Sequence, residues 1–113
     1  MARVYKHLNE EMAVPGILTT SGECFLLRVR GESMIDAGIL DGDYVVARSQ
    51  TTAEKGDVIV AGIPGEEATV KTYTRKGNKV VLLPANARLS PMEFDPDEVQ
   101  VFGKVVTVLR RLG

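Results

Sequence analysis

The sequence predicts a mainly β fold with one short helix, and two observations carry that reading. First, five valine-rich runs of strand length, Tyr44 to Arg48, Asp57 to Ile63, Ala68 to Arg75, Lys79 to Leu83 and Gln100 to Arg110, follow one another. Second, they are separated by turn chemistry, including Asp41-Gly42-Asp43, Lys55-Gly56-Asp57, Pro64-Gly65 and Lys76-Gly77-Asn78, each with a residue that tolerates positive φ. At 113 residues, 44% hydrophobic and 26% charged, the chain is long enough for one packed domain and too short for two.

Residues 1–24 carry scattered apolar side chains interrupted by Pro15, Gly16 and Gly22, a pattern that fits neither a long helix nor a regular strand. They are expected to be an irregular or edge segment of the same domain, and residues 25–113 its body. Phe25 to Val29 reads as a strand buried on at least one face. Ser33-Met34-Ile35-Asp36 has the Ser-x-x-acid form of a helix capping box, and Gly38 ends that helix after about a turn. In Ala68 to Tyr73, alternation places Thr69, Lys71 and Tyr73 on one face and Ala68, Val70 and Thr72 on the other, so Lys71 sits mid-strand. Residues 84–98, with three prolines, read as a long loop packed through Leu89, Met92 and Phe94. The last strand has Val101, Val105 and Leu109 on one face and Phe102, Val106 and Val108 on the other, as in a strand covered on both sides.

Composition excludes several functions. A net charge of -1 supplies no positive field for gripping phosphates, so this chain alone is not expected to bind DNA. The single Cys24 cannot form an internal disulfide, no signal peptide is recognisable, and no apolar run approaches the roughly 20 residues of a membrane span. The expected compartment is the cytoplasm, with no membrane anchor. One histidine and one cysteine are too few for a structural zinc site, and neither metal nor cofactor is expected.

The nucleophile candidates narrow in the same way. A Ser-His-Asp triad would have to use His7, near the N-terminus, and no Gly-x-Ser-x-Gly turn exists. A Cys24–His7 pair is conceivable, but a cysteine beside a buried strand is more often a small core hydrophobe. The acidic clusters Glu66, Glu67 and Asp95, Asp97, Glu98 lie in turns, where solvated charge is the ordinary explanation. A serine activated by a lysine remains. Ser33 follows a strand and opens a helix, where unpaired N–H groups could stabilise an oxyanion, and Lys71 is held in a strand interior. From the residues alone, Ser33 as a plain N-cap and Lys71 as a solvent-facing strand lysine stay open.

The ordered run Gly31-Glu32-Ser33-Met34, Asp36, Gly38-Ile39, Asp41-Gly42-Asp43, Gly56-Asp57-Val58-Ile59-Val60, Thr69-Val70-Lys71, Leu82-Leu83-Pro84-Ala85-Asn86 and Val101-Phe102-Gly103-Lys104-Val105-Val106 resembles the catalytic domain of the LexA repressor family. The resemblance spans residues 25–111. It implies a mixed β fold of the LexA/signal-peptidase type, with a short helix after the nucleophile strand. It further implies a self-cleaving serine peptidase of the SOS response, with Ser33 as nucleophile, Lys71 as general base and the backbone N–H groups of Ser33 and Met34 as the oxyanion site. Implied partners are a second copy of the chain, paired through the C-terminal strand, and a RecA filament that stimulates cleavage. Operator DNA would be reached only through an N-terminal domain absent from this sequence. Ser33-Met34-Ile35-Asp36 followed by Gly38-Ile39 also resembles the polymerase accessory protein UmuD, while Gly103 to Val108 is more similar to the repressors. A phage repressor domain and a non-catalytic dimerisation module are further alternatives. The family cuts an Ala-Gly bond ahead of the catalytic strands, and the two Ala-Gly pairs here, Ala37-Gly38 and Ala61-Gly62, both follow the serine. The substrate bond is therefore expected outside this chain.

Overall fold

The computed structural model describes residues 2–8 and 23–112. Eight strands form one antiparallel sheet: β1 (Ala2–Leu8), β2 (Cys24–Val29), β3 (Tyr44–Ser49), β4 (Val58–Ile63), β5 (Glu66–Lys76), β6 (Lys79–Leu83), β7 (Met92–Phe94) and β8 (Gln100–Leu109). Their spatial order is β1-β2-β3-β8-β4-β5-β6-β7, so the chain runs out through hairpins and then returns to insert its last strand between β3 and β4. Single 3-10 turns occupy Ile35–Ala37 and Pro96–Glu98. The fold is mainly β, as the valine-rich runs and turn chemistry predict.

Two apolar clusters explain why β4 reads as an unbroken apolar run rather than an alternating one. Val60 belongs to the first cluster, with Phe25, Leu27, Met34, Val45 and Val70, while Ile59 and Ala61 belong to the second, with Tyr73, Val80 and Leu82. A strand buried on both faces has no polar face to reveal its period. β5 keeps its alternation because part of one face is given to Thr69 and Lys71, which pair across the ladder with Ala61 and Ile59.

Four expectations are refined or corrected. Of the two alternatives for the N-terminal segment, irregular or edge, Ala2–Leu8 takes the second: it is an edge strand paired with β2, its register shifting between Val4 and Lys6, and residues 9–22 lie outside the described residues. The 84–98 loop contains β7 and a 3-10 turn; Met92 and Phe94 pack on the second cluster, but Leu89 is exposed. The acidic group within it stays exposed, as solvated charge is expected to, and adds one local contact, Asp95 N–H donating to Glu98 Oε1 at 2.9 Å. Finally, β8 lies between β3 and β4, yet only Gly103 and Lys104 have a neighbouring strand on both sides. β4 pairs with it from Gln100 to Lys104 and β3 from Gly103 to Leu109, so beyond Lys104 the β4 side has no partner strand among the described residues. Val106 (40% exposed) and Val108 (37%) are left uncovered by the described residues, contrary to a strand buried on both faces.

Candidate active site

The β2–β3 connection is a closed excursion. Val29 N–H donates to the Asp43 carbonyl and Gly42 N–H to the Val29 carbonyl, both at 2.8 Å, so the loop is pinched at its base. Ser33 stands at its tip, just ahead of the 3-10 turn. Met34 anchors that turn in the first cluster at 1% exposure, and Gly38, with φ +79°, takes the left-handed conformation that ends it. A second segment grips the same tip: Ala85 N–H donates to the Ser33 carbonyl and Asp36 N–H to the Ala85 carbonyl, each at 2.7 Å, while Asn86 Nδ2 donates to the Glu32 carbonyl at 2.9 Å.

The expected capping box does not form. The N-cap position belongs to Met34, with no side-chain cap, and the turn is a single 3-10 turn rather than an α-helix. The Ser33 hydroxyl is turned instead toward β5, where Lys71 Nζ donates to Ser33 Oγ at 3.1 Å. The backbone N–H groups of Ser33 and Met34 donate to no backbone carbonyl of the described residues.

Lys71 is 7% exposed, so the solvent-facing alternative does not hold. Its amine also donates to Thr69 Oγ1 at 2.6 Å, and Thr69 is fully buried. Among the described residues no carboxylate stands within ion-pair distance of it. Burial disfavours the charged ammonium and pushes the Lys71 pKa below the ordinary lysine range, while the nearby Glu66 carboxylate partly opposes the shift. An amine in this setting is closer to giving up its proton at working pH than a surface lysine is.

Ser33 and Lys71 open into a groove of about 580 Å³ whose walls include Glu32, Glu66, Pro84, Arg88 and Met92. The alternative nucleophile does not share it. Cys24 is buried in β2, and burial raises its thiol pKa, away from thiolate; the side chain of His7 lies outside the description. Among the described residues there is no cluster of three or more His, Cys, Asp or Glu able to hold a metal ion, and no helix is long and apolar enough to cross a membrane. Sequence reasoning missed two supporting residues. Thr69 could have been found, because alternation already put it on the face of Lys71. Asn86 stands in the run that carries the resemblance, but its role was not legible, because its partner is a backbone carbonyl 54 positions away.

The Peptidase S24-like family matches residues 2–106. The LexA repressor of Bifidobacterium longum (strain DJO10A) is 49% identical over 107 residues, which is 95% of this chain and 43% of that protein. The LexA repressor of Bifidobacterium adolescentis is 48% identical over 107 residues, 95% of this chain and 40% of its own length. The chain thus spans less than half the length of these curated relatives. With the family matched over nearly its whole length, the chain belongs to the Peptidase S24-like family and is a LexA-type domain within it.

Proposed function

We propose that this domain is a serine endopeptidase working through Ser33 and Lys71, the catalytic and dimerisation part of a LexA-type transcriptional repressor of DNA-damage genes. The observation that carries the reading is a buried lysine amine, with no carboxylate at ion-pair distance among the described residues, 3.1 Å from a serine hydroxyl in an open groove. When the amine is neutral, the hydrogen bond reverses: Ser33 O–H donates to the Nζ lone pair. Oγ then attacks the carbonyl carbon of the scissile bond as the proton passes to Nζ. The Ser33 and Met34 N–H groups are suited to receive the developing oxyanion. Lys71 returns the proton to the leaving amine, giving an acyl-Ser33 ester, and then takes a proton from the water that hydrolyses it. Thr69 fixes the amine throughout.

The scissile bond of this reading is an Ala-Gly bond lying outside this chain. Ala37-Gly38 closes the 3-10 turn and Ala61-Gly62 lies in β4, paired on both sides, so neither backbone can reach Ser33. In the parent repressor the cut would occur in a loop of the same polypeptide, stimulated by a RecA filament in the cytoplasm, with operator DNA held by a separate domain. The half-open edge of β8 from Val105 to Leu109, with Val106 and Val108 exposed, suits pairing with a second copy.

The test is to incubate the chain with a separate protein carrying an Ala-Gly loop and to locate cleavage by mass spectrometry. Wild type should cut that bond slowly, since the loop must be captured from solution, and should leave itself intact. Ser33→Ala should cut nothing. Cleavage that persists in Ser33→Ala refutes the assignment. Sedimentation at tens of micromolar should show a dimer, and Val106→Arg should dissociate it.

A further inference from the structure

The entrance to the nucleophile turn is pinned by Ala85 and Asn86, but its exit is held by a residue at the far end of the sequence. Arg110, just past β8, donates from Nε to Asp43 Oδ1 at 2.8 Å and from Nη2 to Asp43 Oδ2 at 2.7 Å, a bidentate pair. The same Nη2 donates to the Gly38 carbonyl at 2.8 Å. Asp43 is 3% exposed, and its Oδ2 also accepts from Leu40 N–H at 2.7 Å. One ion pair therefore binds the last residue of the turn, the residues after it and the start of β3.

We propose that Arg110 is a positioning residue for the reaction assigned to Ser33: with Asp43 it locks the exit of the turn, and so fixes the Ser33 Oγ and the two oxyanion N–H groups relative to Lys71. Two physical points support this. A one-turn 3-10 helix makes too few hydrogen bonds to hold itself, with only Ile35–Ala37 in regular geometry, so its placement must come from outside. A carboxylate removed from water is weak as a source of stability, because an apolar pair of similar volume would do as well, whereas a fork on two oxygens and a carbonyl sets an orientation. Arg110 itself is well exposed, its side chain retaining 42% accessibility, so its truncation does not open the core.

This inference rests on the peptidase reading, and two measurements separate them. In trans-cleavage, Arg110→Ala should lower kcat by about tenfold with KM changed by less than about twofold, since a displacement of about 1 Å can cost up to about a hundredfold. Arg110→Lys, with one point charge in place of a fork, should recover only part of the loss. Hydrogen exchange in Arg110→Ala should accelerate at residues 33–40 by more than the common increase that loss of the Asp43 pair brings to β4, β5 and β6. Wild-type kcat in Arg110→Ala, or activity lost only in proportion to unfolded protein, overturns the proposal. So does exchange at 33–40 that rises by no more than that common increase, which is decisive even if wild type cuts nothing and the peptidase reading itself falls.

Discussion

Thr69→Val isolates the hydrogen bond that holds Lys71. Valine matches threonine in volume and removes only the oxygen that accepts from Nζ at 2.6 Å. Hydrogen bonds to charged groups contribute about 1.5–3 kcal/mol and neutral ones about 0.5–1.5 kcal/mol. The loss is therefore larger for the ammonium than for the amine, and the Lys71 pKa, already lowered by burial, falls further. Because the folded pKa lies below the unfolded one, the unfolded chain binds more protons between the two values, and stability rises with pH across that window. Thr69→Val extends the window downward. Urea unfolding should show a destabilisation of about 2 kcal/mol below the folded pKa, or about 8 °C in Tm for a domain of this size, shrinking as pH rises. Cleavage should reach its plateau at lower pH than in wild type, with a lower plateau because the amine is no longer fixed. A destabilisation that grows with pH, or a profile displaced to higher pH, would refute the account of Lys71.

Other outcomes follow from particular contacts. Gly103 sits where β8 enters between β3 and β4, and a Cβ there would lie 2.6 Å from the Arg48 carbonyl and 2.9 Å from the Phe25 ring. Since that carbonyl is backbone and cannot rotate away, Gly103→Ala should cost about 1–3 kcal/mol in chemical unfolding. Glu66→Gln removes the carboxylate that favours the charged Lys71, so the rise of cleavage with pH should begin at lower pH, with the fold unchanged by circular dichroism. Asp43, held below the usual carboxylate range first by its Arg110 hydrogen bonds, contributes stability that is present above about pH 4 and lost as pH falls through its folded value. Arg110→Ala should flatten that acid limb in a pH series of urea titrations.

The legible parts of the sequence were those with a short-range physical signature. β3 and β6 declared themselves by their paired valines and β5 by Gly65 and Gly77 on either side of it, and the period of two in Ala68 to Tyr73 already put Thr69 beside Lys71. Ser33 was legible as a turn residue and a nucleophile candidate, but the residues alone left the helix cap open, because Ser-x-x-Asp describes local options and the competing partner, Lys71, is 38 positions away. Non-local pairing was the least visible. Nothing in Gln100 to Leu109 announces that it fills the gap between β3 and β4, and nothing in Ala2–Leu8 announces that backbone pairing with β2 makes it a strand. The Asp43–Arg110 pair joins an early turn to the last residues, so charge and spacing along the chain could not expose it.

To serve Ser33 as a base Lys71 must first lose its proton, and the pH dependence of trans-cleavage in wild type and Lys71→Arg reports that loss. Arginine keeps the positive charge and much of the length but does not deprotonate in proteins. Wild-type cleavage of an Ala-Gly loop protein should rise from neutral into alkaline pH and level off once Lys71 is mostly neutral, while folded, dimeric Lys71→Arg should be inactive at every pH. Cleavage by Lys71→Arg, or a wild-type rate that falls from neutrality toward alkaline pH, would contradict the account.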